Sequence, residues 1–532
     1  MRFWPRSRST PFLLTLMLTF LSAIAVATPR PTVAQHATTY GSALPRFALF
    51  GWVSPPANFT SAERYAELAA TGLNVTVLAW DDSGTASQNR QRFEITRTLG
   101  LKHLMLDNDL DSIFIQRPET FALADTIVSR YKSEPDFLGY YLGDEPPTSA
   151  FPRLAEWFEM LRQRDPVHPA WNALGPRGAY FTPGDFQAYV QAYVDTTHPA
   201  VICNNQYDFS NIFGDLHRLT ENVAVMGTVA RSEGIPFWGI VNLVEHWIFR
   251  HVTEGMLRWQ IAQWIAGGAT GIGYFTYWTP APNAEYDWQP AMIEWGTGAQ
   301  APMYGIVTEV NRRLAPMGNK LAGMQWVAAQ QSGSTQPGGI LFTPDAVLTA
   351  VSGRATMGRY VDSTGTPCVF VANSDSASAR TITLTLGTDR LATRLRDDAS
   401  GWDFLGMTPD RRVSLPLPAG DFMLLRLPTT ATADLAPPLA STPRLALRIA
   451  PNPGRGRLRL AATGNQGETR LEILDLAGRV LLSRTTASGT RAVLHWDGST
   501  WAGDKAPAGI YLARARDANA SVSARIVWLG AR

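Results

Sequence analysis

The sequence predicts an α/β chain: a (β/α)8 TIM barrel, then an antiparallel β-sandwich, then a C-terminal Ig-like β-sandwich. Three observations carry that expectation. Between residue 45 and about residue 320, eight apolar, strand-like runs alternate with amphipathic helical stretches. Beyond that point the helical periodicity fades into short alternating segments. A low-complexity stretch, "TTATADLAPPLASTP" (429–443), then sets off a last block with its own turn signals.

The eight runs are "FALFGWV" (47–53), "LNVTVLAW" (73–80), "LKHLMLD" (101–107), "FLGYYLG" (137–143), "AWNAL" (170–174), "AVICNNQ" (200–206), "PFWGIVNLV" (236–244) and "TGIGYFTYW" (270–278). Runs this continuously apolar suit strands buried on both faces, hence a parallel sheet. The helices between them are equally legible. In "SAFPRLAEWFEMLRQRDP", Phe151, Leu154, Trp157, Phe158 and Leu161 share one face, with Ser149 as the expected N-cap and Pro166 as the stop. "TEGMLRWQIAQWIAGG" begins at Thr253 and ends at a glycine pair, and "APMYGIVTEVNRRLAPMG" closes the series. A doubly wound open sheet is the rival fold, but no Gly-rich phosphate loop follows the first strand.

The expected boundaries are a signal peptide over 1–27, a barrel over 45–322, a β-sandwich over 323–428, a linker over 429–443 and an Ig-like domain over 444–532. "CVFVANS", "RTITLTL" and "FMLLRLP" typify the second of the three folded parts, and the last offers about seven short strands. A length of 532 residues agrees with about three domains. The 45% hydrophobic and 17% charged composition describes folded material, and a net charge of +2 gives no reason to expect nucleic acid or an anionic membrane as partner.

Arg2, Arg6 and Arg8 precede the apolar "PFLLTLMLTFLSAIAVA", and Ala25-Val26-Ala27 offers a small-residue cleavage site. The chain is therefore expected to be exported, secreted or held at the cell surface, with a retained N-terminal anchor as the alternative. Cys203 and Cys368 fall in different expected domains without a CxxC partner, so no disulfide is expected between them.

Barrel enzymes build their sites at the C-terminal ends of the strands. The polar and aromatic residues expected there are Trp52, Trp80, Asp81, Asp82, Asp107, Asp109, Asp144, Glu145, Asn172, Asn204, Asn205, Gln206, Tyr207, Asn242, Glu245, His246, Tyr277 and Trp278. Carboxylates, amides and indoles at one end describe a sugar pocket better than a phosphate or metal site. The sharpest feature is "FLGYYLGDEPP" (137–147), where Asp144 and Glu145 end an aromatic run and Pro146 follows. A residue before proline is disfavoured in helical backbone, so Glu145 is expected at the end of an extended segment. Glycosidic cleavage needs a carboxyl that keeps its proton near neutrality, and burial beside a second carboxylate supplies one. Plain alternatives stand beside these readings. Asp144-Glu145 also suits a capped or salt-bridged turn, Glu245-His246 a solvated loop, and Trp52, Trp80 and Trp247 ordinary packing.

A Glu-Pro pair at the end of barrel strand four resembles the acid/base signature of the clan of retaining (β/α)8 glycoside hydrolases. That clan includes the family 42 β-galactosidases and the family 5 glycanases, in which Asn usually precedes the Glu. Here Asp144 stands in that place, a "GDEP" variant, and "RWQIAQWIAGGATGIGYFTYW" (258–278) and "YGIVTEVNRRL" (304–314) extend the resemblance over residues 45–320. It implies Glu145 as acid/base, Glu245 as nucleophile and Trp278 as an aromatic platform after strand eight. The context "NLVEHW" departs from the clan's, which leaves Asp82, Asp107 or Glu294 as alternative second carboxylates and inversion as an alternative outcome. By position, the expected substrate-binding set is Asp144, Trp52, Trp80, Asp82, Asp107, Asn172, Asn205, Tyr207, Asn242, His246, Tyr277 and Trp278. The implied activity is hydrolysis of an oligo- or polysaccharide, with no metal and no organic cofactor. GxSxG, GxxxxGK[ST] and HExxH motifs are missing from the sequence. A non-catalytic carbohydrate-binding protein and a surface structural protein are the other readings.

The last block carries "IAPNPGRGRLRL", "RLEILDLAGRVLLS", "LHWDGSTWAGDKAPAGIYLARA" and "ARIVWLG". It resembles the Ig-like domain of flagellar hook-assembly proteins and the C-terminal sorting domains of exported bacterial enzymes. That resemblance implies outer-surface secretion or anchoring machinery as a partner, although the usual Lys-rich ending is missing.

Overall fold

The computed structural model describes residues 40–77, 84–110, 122–178, 185–282, 288–429, 445–463, 468–475, 478–486, 491–517 and 521–530. The leader expected over 1–27, all but Thr429 of the linker, and the site candidates Trp80, Asp81 and Asp82 lie outside the described residues. The chain divides into two compact units, residues 1–428 and 429–532.

Each of the eight apolar runs contains a strand: β1 Ala48–Gly51, β2 Val75–Val77, β3 Lys102–Met105, β4 Phe137–Asp144, β5 Ala170–Ala173, β6 Ile202–Asn205, β7 Phe237–Asn242 and β8 Gly271–Phe275. They pair in parallel in the order β5-β4-β3-β2-β1-β8-β7-β6. The two outer strands meet through a parallel bridge between Leu174 and Asn204, where Leu174 N–H donates to Cys203 O at 2.8 Å. The Asn204 amide secures this seam by donating to Leu174 O at 2.8 Å and Gly175 O at 2.9 Å. The sheet thereby closes into the barrel that the alternating pattern predicts.

Around it run α1 Ala62–Ala70, α2 Ala86–Thr96, α3 Ala124–Tyr131, α4 Phe151–Arg164, α5 Phe186–Thr197, α6 Leu219–Glu233, α7 Glu254–Ala266 and α8 Pro302–Leu321. Helix α4 buries the five residues its spacing singles out. Its start differs from expectation: Ser149 lies in a short 3-10 turn, Thr148–Ala150, and α4 begins at Phe151 without a side-chain cap. Pro152 near the first position suits that start, because its missing N–H is not needed there. Helix α7 begins at Thr253, whose hydroxyl accepts from Met256 N–H at 3.3 Å, and ends at Gly267.

Inside the barrel, Phe50, Trp171 and Trp238 meet with ring centroids 5.5–6.2 Å apart, so the interior is a packed aromatic core and not a channel. Two residues beyond Phe50, on the same face of the strand direction, Trp52 sits one layer higher against Trp171 at 5.6 Å. That layering places an indole at the base of the barrel mouth.

The rest of the first unit is antiparallel: β9 Gln325–Ser332, β10 Leu348–Ser352, β11 Ala355–Val361, β12 Pro367–Asn373, β13 Arg380–Leu386, β14 Thr393–Leu395, β15 Trp402–Phe404, β16 Arg412–Leu417 and β17 Phe422–Arg426. They form sheets of order β15-β14-β17-β12-β11-β9 and β10-β13-β16 around a core that includes Met357, Val369, Ile382 and Leu415. The larger sheet lies on α7. Trp326 Nε1 donates to Ala266 O at 2.8 Å, the Tyr360 hydroxyl donates to Ile265 O, and Gln263 Nε2 reaches Thr356 Oγ1 at 3.2 Å. This explains why α7 is apolar on nearly every side: it is enclosed by the barrel on one face and the sheet on the other. Tyr360, Phe370 and Phe422 of the sheet join the barrel's own hydrophobic core.

The second unit contains β18 Ala446–Ala450, β19 Leu458–Thr463, β20 Thr469–Leu474, β21 Val480–Thr486, β22 Arg491–Trp496, β23 Gly509–Arg516 and β24 Ser521–Trp528. They pair antiparallel as β18-β19-β22 and β21-β20-β23-β24, around a core in which Trp496 and Trp528 lie 4.9 Å apart. Asn452 ties the entering chain to β24: its amide donates to Arg525 O at 2.7 Å and accepts from Val527 N–H at 2.8 Å.

Candidate functional site

A cavity of about 960 Å³ opens at the C-terminal end of the strands. Its wall includes Trp52 after β1, Asp144 at the end of β4 and Glu145 after it, Asn205 at the end of β6 and Tyr207 after it, His246 and Trp247 after β7, and Phe275 at the end of β8 with Trp288 beyond it.

The carboxyl pair reaches this wall through two local departures from strand geometry. In the β4–β5 ladder, Tyr141 pairs with Trp171 but Asp144 with Ala173, so three steps along β4 match two along β5. One extra residue in a strand reverses the inward–outward alternation. Tyr141 faces inward against Trp52 at 5.5 Å, and the bulge lets Asp144 face inward as well. Gly143, at φ 107°, supplies the backbone conformation this needs, and the Asn172 amide holds it by donating to Gly143 O at 2.8 Å.

Glu145 is the second departure. Its φ is 45°, in the left-handed region, and not the extended conformation that the following proline leads one to expect. The price of such a backbone is of order 1–3 kcal/mol, and it persists only where the surroundings fix it. Here Glu145 N–H donates to Ala173 O at 2.8 Å, and the Tyr189 hydroxyl donates to Pro146 O at 2.7 Å. The turn brings two consecutive side chains into one cavity. The Glu145 carboxyl leans over β5 toward β6, where Asn205 Nδ2 donates to its Oε1 at 2.7 Å.

No cation stands against these carboxyls in any hydrogen bond or ion pair of the described residues. Burial, and after it the charge of Glu145, holds Asp144 well above the usual carboxylate range, against the lowering effect of the Tyr141 hydroxyl. Burial raises Glu145 too, opposed by the Asn205 hydrogen bond. Asp144 is only partly enclosed as a residue, yet its Oδ1 is buried and, like Asn205 Oδ1, has no hydrogen-bond partner among the described residues.

His246 is a neutral wall residue. Its ring stacks on Trp288 at 4.8 Å, Nδ1 lies 2.8 Å from Val244 O as a donor, and burial lowers its pKa to about 4. Nε2 is then left as an acceptor.

The other expected site residues lie elsewhere. Asp107 is 1% exposed and sealed by Arg130 at 2.9 Å, with the Tyr131 hydroxyl donating to it. Asn172 serves Gly143 and accepts from the Tyr193 hydroxyl at 3.2 Å, so it positions the bulge and does not line the cavity. Asn242 is buried in a backbone clamp with Gln260. Tyr277 and Trp278 are fully buried, because the chain past β8 continues beside β1: their N–H groups donate to Trp52 O at 2.8 Å and Val53 O at 3.0 Å. Trp278 packs on Phe59 at 4.8 Å, and the aromatic at the cavity from this strand is Phe275. Glu245 is half-buried and is not among the residues lining the cavity, unlike His246 and Trp247 beside it. Glu294 is not in the wall either; it accepts from Thr297 Oγ1 at 3.0 Å. The sequence reading missed Phe275, Phe249 and Trp288, and also the rim arginines Arg177 and Arg218. Phe275 is the last residue of β8, three short of the end of the apolar run, and nothing in that run marks the stop.

No family model matches the chain, and no curated protein matches it. Among solved structures, it is similar to a family 5 glycoside hydrolase from Bacteroides vulgatus ATCC 8482, at 13% identity and TM-score 0.47 over 73% of this chain and 90% of that one. It is similar to a family 39 glycoside hydrolase from Bacteroides cellulosilyticus WH2, at 11% identity and TM-score 0.46 over 74% and 82%. A β-galactosidase from the psychrophilic Marinomonas ef1 follows at 10% identity and TM-score 0.40, over 52% of this chain and 62% of that chain's length. Likeness at this level assigns no residue a role.

Proposed function

We propose that the chain hydrolyses O-glycosidic bonds of an oligo- or polysaccharide, with Glu145 as the acid/base group. The observation that carries this reading is the pair of adjacent carboxyls, without a cation partner among the described residues, turned into one aromatic-walled cavity by a bulge and a left-handed residue. Two carboxyls in one enclosed site do not both ionise cheaply, so the pair keeps a proton at a pH where an isolated carboxyl has lost its own. That proton is what the departing glycosidic oxygen needs. Glu145, Asn205 and Gln206 bring polar side chains to the cavity wall, and Trp52, Tyr207, Phe275 and Trp288 offer apolar surface for ring faces.

A panel of aryl glycosides and matching oligosaccharides tests the reading. Glu145→Gln is expected to lower kcat on sugar leaving groups by about 10²–10⁴-fold, and less on dinitrophenyl leaving groups, which depart without a proton. Equal activity of wild type and variant on oligosaccharides rejects it.

One observation favours a second reading. Hydrolysis with retention needs a second carboxyl about 5–5.5 Å from the first, and inversion one at about 6.5–9.5 Å. Among the described residues Asp144 is the other carboxyl in the wall, while Glu245 is outside it. Sugar binding by the wild type with no turnover selects a non-catalytic carbohydrate-binding protein.

A further inference from the structure

Seven non-glycine residues among those described have positive φ, and three of them stand at the C-terminal ends of barrel strands: Val53, Glu145 and Trp247. Glu145 has its explanation in the carboxyl pair. Trp247 has none in the fold. It sits at φ 47° in a tight turn closed by His246 N–H to Phe249 O at 3.1 Å and Phe249 N–H to His246 O at 2.7 Å. Turns of this kind favour glycine or asparagine at a positive-φ position, and a bulky side chain there is a marked outlier. The indole is 66% exposed, and its one ring contact among the described residues is an edge-on approach to Phe249 at 6.2 Å. A tryptophan that strains the backbone and leaves about two thirds of its surface exposed does not stabilise its own turn.

The turn is nevertheless firmly held. The loop after β6 lies alongside it: Asn211 N–H donates to Ile248 O at 2.9 Å, Arg250 N–H donates to Phe209 O at 3.1 Å, and Arg250 pairs with Asp215 at 2.7 Å. Trp247 therefore projects from a braced support into the wall of the cavity whose other lining residues include Glu145. At about 960 Å³ that cavity lies at the upper end of the 300–1,000 Å³ typical of small-ligand sites, more than one sugar ring needs. A rigid indole presents a large apolar face at little entropic cost, and the C–H face of a pyranose is the matching apolar surface.

We propose that Trp247 is the platform of an outer subsite, so that the substrate is a chain of at least two sugar units, one at the carboxyl pair and a further one stacked on this indole. The proposal rests on the glycosidase reading above for its inner subsite. Wild type, Trp247→Gly and Trp247→Phe are compared on p-nitrophenyl monoglycosides and on the corresponding tetrasaccharides of galactose, glucose, xylose and mannose. The expected result is at least a tenfold fall in the tetrasaccharide-to-monoglycoside ratio of kcat/KM for Trp247→Gly, mostly through KM. Trp247→Phe is expected to recover most of it, and Trp247→Gly to melt no lower than wild type, since glycine suits the left-handed position. An unchanged ratio, a Phe variant as poor as the Gly variant, or a lower melting temperature for the Gly variant overturns the platform while leaving Glu145 in place. If the wild type cleaves no glycoside, the glycosidase reading falls by itself. The platform is then judged by quenching of tryptophan fluorescence on titration with the same tetrasaccharides. Quenching lost in Trp247→Gly supports it, and no quenching in wild type overturns it.

Discussion

The C-terminal ends of β3 and β4 are neighbours in the barrel and each leads to an aspartate, Asp107 two residues past β3 and Asp144 at the end of β4, yet the two carry opposite chemistry. Asp107 accepts from Arg130 at 3.1 and 2.9 Å, from Asp109 N–H at 2.9 Å and from the Tyr131 hydroxyl, and Arg130 reaches on to Asp109 at 2.7 Å. Every lone pair has a donor and the charge is matched by Arg130. Asp144, one strand along, faces another carboxyl, keeps an oxygen without a hydrogen-bond partner among the described residues, and lines the large cavity. Position at the barrel mouth is common to both. The sign of the nearest charge separates a structural brace from a proton-holding site.

Three substitutions break or sharpen this contrast. Asp107→Ala has the largest expected effect on the fold, a loss of about 3 kcal/mol, because Arg130 and the Tyr131 hydroxyl lose a buried partner. Urea unfolding midpoints measure it, and turnover per folded molecule should hold. A matching collapse of turnover would return Asp107 to the site.

Asp144→Asn should act in the opposite direction. The folded protein holds this carboxyl above its ordinary value, so its contribution to stability is fully present below the unfolded value of about 3.9 and is lost as pH rises through the folded value. The variant is therefore expected to melt higher than wild type at pH 8, by about 1 °C for each kcal/mol relieved in a unit of this size, with the gap closing toward pH 4. A gap that widens on acidification would contradict the geometry.

Glu245→Gln has the smallest expected effect: with its side chain outside the wall, kcat should change less than about threefold, against the loss of about a thousandfold or more that a nucleophile's removal brings. Nuclear magnetic resonance of the first-formed anomer checks the same point independently.

What the sequence made legible follows from periodicity. The eight strands, the apolar face of α4 and the seven short strands of the second unit all come from repeats of hydrophobicity that packing must satisfy. The position of Glu145 at the end of β4 was legible for the same reason. Its backbone was not, because a bulge is one residue of slip between two strands and leaves no periodic trace; only Gly143 hints at it. Tyr277 and Trp278 misled because an apolar run does not show where a strand leaves the barrel and continues as packing. Trp288 and Phe249 come from loops whose contacts depend on other loops, which no local pattern records.

The enclosure of α7 has a practical side for protein engineers. A gene trimmed after α8 would strip the sheet from Trp259, Ala266 and their neighbours and leave a greasy flank open to water. Swapping modules between chains of this shape should therefore move residues 45–428 together, since the helix in the middle belongs to both halves.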